Sequence, residues 1–545
     1  MKTRAGEMRQ DAGGLRARLV GLGLGLVFAI VAAKGAFIAL EPQPERTGII
    51  SVFEEEPLRA DIVDRNNELL ATSITVYSLF ADPRVIWDAS ETVDALAVVF
   101  PDIDKPIITA RLSNRDKAFV WIERGLTPRQ RQAVFELGLE GLGFRKESRR
   151  AYPRGTLAGH TLGYTKRDGE GAAGLEFALD HQLAAGGEPL RLTLDSGVQY
   201  ALEEELSAAA SVYEAINAVG VVMEVSTGEI RAIASWPPLD PNRAHTLDRE
   251  DPVRVNRAVS AVYELGSVFK PLTAAAGLET GVISLTERLY VADPLTIHGA
   301  TISDQHPISA SANLTEIIAH SSNIGIGQVA LRVGVRREKE FLASLGLFDR
   351  APIEIAGSAA PLLPPAWTDL ALVTVSYGHG IAVSPVAFTS AFSALGNGGE
   401  ILTPTLVMDE GRKLEPRRVM SAPTAAAVTA MLRETVTRGT GTRAEVAGYR
   451  VAGKTGTAEK PVDGGYDDTR NVTSFAALFP ANGPEYVVLI VLDEPKAGEG
   501  RGRTASWNAA PTAGRVIERI APMLGIVPEF DAGRRDPSAE RRSTL

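Results

Sequence analysis

Ser267 and Lys270 stand one helical turn apart in Glu264-Leu265-Gly266-Ser267-Val268-Phe269-Lys270-Pro271, the only Ser-x-x-Lys in the chain. Residues three apart on a helix share a face, so the spacing predicts a helix start on which the Lys270 amine reaches the Ser267 hydroxyl. Pro271 fits there because the first helical N–H groups lack internal partners. A neutral lysine can take the serine's proton, the helix N-terminus favours the resulting alkoxide, and backbone N–H groups can receive an oxyanion. Taken alone, the same residues read equally as an N-capping serine followed by an exposed lysine.

The only Lys-Thr-Gly lies far downstream, in Val451-Ala452-Gly453-Lys454-Thr455-Gly456-Thr457. Valine and threonine favour a strand, and Gly456 lets another backbone or a ligand come close. An edge strand carrying Lys454, Thr455 and Thr457 suits an extended anionic substrate, with the cation and hydroxyls on a carboxylate and the strand's N–H and C=O groups on a peptide. A solvated strand end is the plainer alternative. Ser-x-Asn occurs three times and is chosen by context. Ser321-Ser322-Asn323 falls between apolar-periodic segments, Leu314 to Ala319 and Ile324 to Val333, as a loop able to point a hydroxyl and an amide into a cleft. Asn313 with Glu316 instead reads as a capping box, and Ser506-Trp507-Asn508 follows the Lys-Thr-Gly strand and breaks the order.

Two β-rich pairs surround these motifs: Ala218 to Val225 with Glu229 to Ser235 around Ser226-Thr227-Gly228, and Val472 to Leu478 with Tyr486 to Leu492 around Pro480-Ala481-Asn482-Gly483. With the Lys454 strand they make five. Alanine- and leucine-rich helical patterns fill Leu272 to Arg443, so helices inserted into an antiparallel sheet are expected.

Upstream, Met1 to Arg18 is basic and Leu19 to Leu40 almost wholly apolar. At ~1.5 Å per residue the latter reaches ~33 Å, enough to cross a bilayer, with the Lys34 amine snorkelling to the interface. The positive-inside rule places residues 1–18 in the cytoplasm and the rest outside, on an uncleaved single-pass anchor in the inner membrane. A cleaved signal peptide is the rival, but the stretch is long for one. Glu41-Pro42-Gln43-Pro44-Glu45-Arg46 reads as a stiff linker. Residues 41–188 read as a mixed α/β pedestal, 189–525 as the catalytic domain and 526–545 as a disordered polar tail. The 545 residues carry a net charge of -10, seven histidines and no cysteine. The charge argues against a nucleic-acid surface, and the lack of cysteine excludes disulfides and thiolate metal sites. The histidines show no ligand spacing, so no metal or cofactor is expected; His379 reads as a turn or packing residue near the cleft.

In order, Ser267-x-x-Lys270, Ser321-x-Asn323 and Lys454-Thr455-Gly456 resemble the signature of penicillin-binding proteins and serine β-lactamases. Arg59 to Asn67, Tyr152-Pro153-Arg154-Gly155 through His160, Gly163-Tyr164 and Gly174-Leu175-Glu176 resemble the pedestal of the class B, monofunctional members. There arginine and aspartate pairs are expected to join segments rather than catalyse. The chain departs from that pattern at Ala60, Asn67 and Leu265, where glycine, glycine and proline are usual.

The resemblance implies an α+β multidomain protein: one transmembrane helix, a pedestal, and a β-lactamase-like transpeptidase domain with a five-stranded antiparallel sheet. It implies that Ser267 attacks the carbonyl between the two terminal D-alanines of a peptidoglycan stem peptide with Lys270 as base. Ser321 relays the leaving-group proton, Asn323 holds the substrate amide, and Lys454, Thr455 and Thr457 hold the terminal carboxylate, with Gly456 part of the same substrate-binding strand. The N–H groups of Ser267 and Thr457 form the oxyanion hole, and β-lactams acylate Ser267. Ser321-Ser322-Asn323-Ile324-Gly325, the compact pedestal and the missing C-terminal extension look like the division-specific septal enzyme. That enzyme would work beside a SEDS-family, FtsW-type glycan polymerase and other membrane proteins of the divisome, with Gly21, Gly23 and Gly25 permitting helix contact.

Three readings compete: an elongation-specific transpeptidase, a D,D-carboxypeptidase, and a non-catalytic membrane-anchored scaffold. A class A β-lactamase is disfavoured because no Glu-x-x-x-Asn lies between Asn323 and Lys454.

Overall fold

The computed structural model describes residues 7–40, 58–306, 308–462, 465–498 and 500–530. The linker Glu41–Arg46 lies outside them. By itself, the N-terminal unit is one helix, α1 (Glu7–Leu40), in which every described side chain, residues 18–34, is exposed. Among the described residues no helix is long and apolar enough to cross a membrane. The described side chains of α1 stop short of the ~20 residues a bilayer needs, and the expected span 19–40 runs past them.

From Pro57 onward the chain is one compact unit. Its first sheet consists of β1 (Ile62–Val63), β2 (Leu69–Ala81), β3 (Val120–Leu126), β4 (Leu142–Ala151) and β5 (Leu190–Arg191). The long β2 serves three partners, meeting β1 at its start, β4 along most of its length and β3 at its end. Three short helices, Ala89–Val99, Lys105–Ser113 and Pro128–Glu136, close over this sheet. Asp88, Asp104 and Thr127 cap them, and Thr127 with Gln130 forms a reciprocal capping box.

The pedestal is joined to the catalytic part through a shared strand pairing and a shared core. β5 lies beyond the expected boundary at 188/189, yet it pairs in parallel with β1. Ile62, Leu70, Leu162 and Leu175 share one apolar core with Val221, Met223, Val268 and Leu272 of the catalytic part. A shift in local pattern marked the boundary in sequence; burial of both sides against each other erases it in space.

The pedestal charges do the joining expected of them. Glu176, fully buried, receives Arg59 Nε at 2.5 Å on one carboxylate oxygen and Arg150 Nε at 2.6 Å on the other. Arg59 also holds Asp180 at 2.7 Å. Asp64 accepts the Asn66 and Glu68 amides within its own turn and the Ser196 amide 3.0 Å away at the next helix start. Asn67 takes φ +64°, a left-handed conformation that asparagine tolerates better than other side chains, so it can stand where glycine is usual.

The second sheet contains β6 (Asn217–Glu224), β7 (Ile230–Trp236), β8 (Ala452–Val462), β9 (Gly465–Phe479) and β10 (Tyr486–Asp493). Its order is β8-β9-β10-β6-β7, antiparallel throughout, with the Lys454 strand β8 on the edge. One face packs on α2 (Ser196–Val212) and on α8 (Ala509–Met523) through Leu202, Val222, Ile490 and Ile517. The other, with Met223, Ala476 and Leu489, faces helices inserted between β7 and β8. α3 (Lys270–Glu279), α6 (Pro385–Gly396) and α7 (Ala422–Arg438) share that core, while α4 (Leu314–His320) and α5 (Asn323–Val333), inserted in the same stretch, pack in a neighbouring apolar cluster. Two covered faces explain why β10 is buried at every position although antiparallel strands often alternate.

Residues 526–530 differ from the disordered tail expected from 526 on. Ile526 is buried and the Glu529 amide donates to Gly448 O at 2.8 Å, because one apolar residue beyond α8 suffices to fold the chain back.

Glu176→Ala would leave two buried guanidiniums facing each other without their shared carboxylate. We expect a loss of ~3–5 kcal/mol in urea unfolding of the ectodomain; a loss under ~1 kcal/mol would contradict the structural role.

Candidate active site

The catalytic turn is built by backbone contact. Gly266 has φ +63°, and a Cβ there would meet Thr457 O at 2.8 Å, so only glycine lets the turn lie against β8. Gly456 returns the contact: a Cβ on it would stand 2.2 Å from Leu265 O. The Gly266 amide donates to Gly378 O at 3.3 Å and Ser474 Oγ to Leu265 O at 2.7 Å, fixing both flanks. Gly266–Phe269 forms one 3-10 turn that runs into α3 at Lys270, the helix start the spacing predicts.

Lys270 and Lys454 are both fully buried, and their amines converge on one hydroxyl. Lys270 Nζ lies 3.1 Å from Ser321 Oγ and also donates to the Ser321 carbonyl, while Lys454 Nζ lies 3.0 Å from the same Oγ and 2.9 Å from Thr455 O. Burial, with the nearby Lys454 charge adding to it, drives the Lys270 amine well below the ordinary lysine range, against a smaller opposing pull from Asp304. Burial also lowers Lys454, to about 7. Two ammonium groups on one hydroxyl repel, so the arrangement favours Lys270 neutral, accepting the Ser321 proton, and Lys454 charged.

Lys270 does not hydrogen-bond to Ser267 as the spacing suggested. Ser321 caps α4 in a left-handed conformation, φ +64°, which turns its carbonyl and hydroxyl onto the amine. Ser267 Oγ has no hydrogen-bond partner among the described residues. A half-buried hydroxyl without a partner, on the face of the helix that carries a neutral amine, has the environment that nucleophilic attack on a carbonyl requires.

Ser321 caps the end of α4 and Asn323, expected in the loop, is the first residue of α5, so the connection is only Ser321-Ser322; Asn313 with Glu316 forms the reciprocal capping box of α4. The residue that sequence reasoning missed here is Asp304. Its carboxylate accepts Ser322 Oγ at 2.6 Å together with the amides of Asn323 and Ile324, locking the start of α5. Asn323 Nδ2 donates to Ser303 O at 3.1 Å, which orients the side-chain amide and leaves its carbonyl to accept an N–H. Thr440, also missed, holds Thr455 Oγ1 at 2.6 Å. The Ala505 amide donates to Thr457 Oγ1 at 3.2 Å, so that hydroxyl's proton is free to donate. No motif flags Asp304 or Thr440, since both act only through residues far away in the chain.

His379 packs between the rings of Tyr377 and Tyr466, centroids 5.3 and 5.5 Å away. Burial lowers it to about 4, so it is neutral and acts as a packing residue.

The arrangement can do acyl transfer: an unbonded hydroxyl, a neutral amine, a second hydroxyl between two amines, and a cationic edge strand. Comparison with known proteins agrees. The penicillin-binding protein transpeptidase domain matches residues 218–518 and the penicillin-binding protein dimerisation domain residues 54–218. The chain is 44% identical to a protein of Caulobacter vibrioides named probable peptidoglycan D,D-transpeptidase FtsI, over 86% of this chain and 82% of that one. It is 27% identical to peptidoglycan D,D-transpeptidase FtsI of Escherichia coli, over 86% and 84%. Its fold resembles penicillin-binding protein 3 of Mycobacterium tuberculosis solved with ampicillin, TM-score 0.70 at 27% identity, covering 88% of this chain and 98% of that one.

The pH dependence of acylation follows from the two lysines. Acylation, read as kcat/KM, rises as Lys270 sheds its proton and falls as Lys454 loses the charge that attracts a carboxylate, near 7 in the free enzyme. A chromogenic cephalosporin followed by stopped flow should give a bell whose alkaline limb disappears in Lys454→Met; a limb unchanged in that variant would contradict the assignment.

Proposed function

We propose that this chain, which belongs to the penicillin-binding proteins and combines their dimerisation and transpeptidase domains, is a peptidoglycan D,D-transpeptidase of the monofunctional, division-specific type. The observation that carries the chemistry is the convergence of two buried amines on Ser321 beside the unbonded hydroxyl of Ser267.

Ser267 attacks the carbonyl between the two terminal D-alanines of a stem peptide. Its proton passes to the neutral Lys270, and the oxyanion is met by the Ser267 and Thr457 amides, a pairing supported by the close approach of Gly266 to the Thr457 backbone. Ser321, between the two amines, relays that proton to the departing D-alanine. Asn323 accepts from the peptide's amide, while Lys454, Thr455 and Thr457 hold the terminal carboxylate, with Gly456 giving it room. An amine of a second stem peptide then takes the acyl group and completes the crosslink. A β-lactam presents the same carbonyl and carboxylate and leaves Ser267 acylated; solved relatives carry aztreonam and ampicillin.

The names of the Caulobacter and Escherichia relatives favour work at the septum over elongation. Anchoring in the inner membrane through residues 19–40 is supported by the apolar side chains that α1 leaves exposed, Leu22 and Phe28 at 71% each. The same helix and the pedestal offer surfaces to a SEDS-family glycan polymerase of the divisome, which would supply the strands to be joined.

Fluorescent penicillin should label the wild-type protein at Ser267, and Ser267→Ala should lose at least ~10³-fold in labelling rate while keeping its melting temperature. Equal labelling of that variant would overturn the reading. Incubation with a stem-peptide donor and an amine should give the crosslinked amide; hydrolysis alone would assign a carboxypeptidase.

A further inference from the structure

A cavity of about 580 Å³ opens next to the catalytic turn, between the end of the sheet at Lys460, Val472 and Asp493 and the segment Tyr263–Glu264. None of Ser267, Lys270, Ser321, Asn323 or Lys454 lines it. Glu264 connects the two places, since it lies three residues before Ser267. One of its carboxylate oxygens accepts the Gly380 amide at 3.1 Å and the Tyr466 hydroxyl at 3.4 Å. The other is buried and has no partner among the described residues.

An unpartnered buried carboxylate oxygen is costly, so its surroundings bear on what it is for. Among the described residues, the cations that line the cavity are directed elsewhere: Lys460 is held by Asp493 and Glu494 at 3.0 and 2.8 Å, and the buried Arg257 is turned onto the Pro252 and Val255 carbonyls. Glu459, the remaining charged group lining the cavity, is exposed. Burial raises the Glu264 carboxyl above its ordinary range, which makes it the stronger proton acceptor. The reaction leaves one task without a group. The acceptor amine arrives mostly as an ammonium, which the charged Lys454 repels from its side of the ester and which must lose a proton before its nitrogen can attack.

We propose that Glu264 receives the acceptor: the ammonium of the second stem peptide enters this cavity, docks against the Glu264 carboxylate in its wall and gives it one proton. The nitrogen lone pair then forms a bond to the ester carbon. The bond from that carbon to the Ser267 oxygen breaks, and the nitrogen's surplus proton returns to Ser267 through Lys270. Glu264 releases its proton to solvent after the product leaves. The inference rests on the transpeptidase reading above and assigns its acceptor side.

The test measures how one acyl-enzyme divides between amine and water. The ectodomain is acylated with an N-acyl-D-alanyl thioester, with D-alanine as the amine, and both products are counted. Glu264→Gln keeps the shape and the contacts with Gly380 and Tyr466 but cannot take a proton, so the ratio of aminolysis to hydrolysis should fall about tenfold or more. A ratio within twofold of wild type would overturn the proposal, as would slower acylation with an unchanged ratio, the mark of a merely structural residue. Tyr466→Phe gives an independent reading. The lost hydrogen bond helps keep Glu264 ionised, so the pH at which aminolysis reaches half its maximum should rise; a fixed or lower midpoint would overturn the proposal. Absence of any wild-type acyl-enzyme would instead overturn the transpeptidase reading itself.

Discussion

Two amines removed from water and aimed at one hydroxyl are the constraint on which this active site depends. Either lysine alone could be buried and neutral. Together, with Ser321 Oγ 3.1 and 3.0 Å from them, they have to divide the protons unequally. The fold sets which one is charged: Lys270 feels both burial and its neighbour's charge, whereas burial accounts for the shift of Lys454. That asymmetry suits Lys270 to the proposed role of base and Lys454 to that of anion receptor.

The scaffold exists to hold that pair still. Lys270 rides on α3 and Lys454 on β8, elements far apart in sequence that touch through glycine backbones at Gly266 and Gly456. Ser321 is the third point, turned inward by a left-handed cap and braced by Asp304 behind Ser322 and Asn323. Burying the sheet on both faces makes β8 a rigid edge, and an edge is what an extended peptide can pair with. The pedestal contributes to the same rigidity, because its base shares the core that underlies Val268 and Leu272.

Much of this was legible in the sequence because the signals were local. The five strands and their two tight connections follow from β-rich runs separated by turn residues. The choice of Ser321 over Ser311 follows from the capping box at Asn313, which the structure contains. Residues that act across the chain were not legible. Asp304 and Thr440 sit in no periodic pattern, and only the folded chain shows that they hold residues of the site and that Glu264 lines a neighbouring cavity. The pairing across the pedestal boundary was hidden for the same reason: β5 lies beyond residue 188 in sequence and pairs with β1 of the pedestal. The Lys270 amine went to Ser321 rather than Ser267 because helical spacing fixes a shared face but not which neighbour from another segment reaches it first.

The division of protons between the two lysines can be read directly. Lysines labelled at the ζ nitrogen and ε carbon, assigned through Lys270→Arg and Lys454→Arg, can be titrated by NMR in the ectodomain. The account predicts that Lys270 titrates well below 10.5 and that Lys454 loses its proton near 7. A Lys270 amine that stays protonated up to the ordinary lysine range would contradict it.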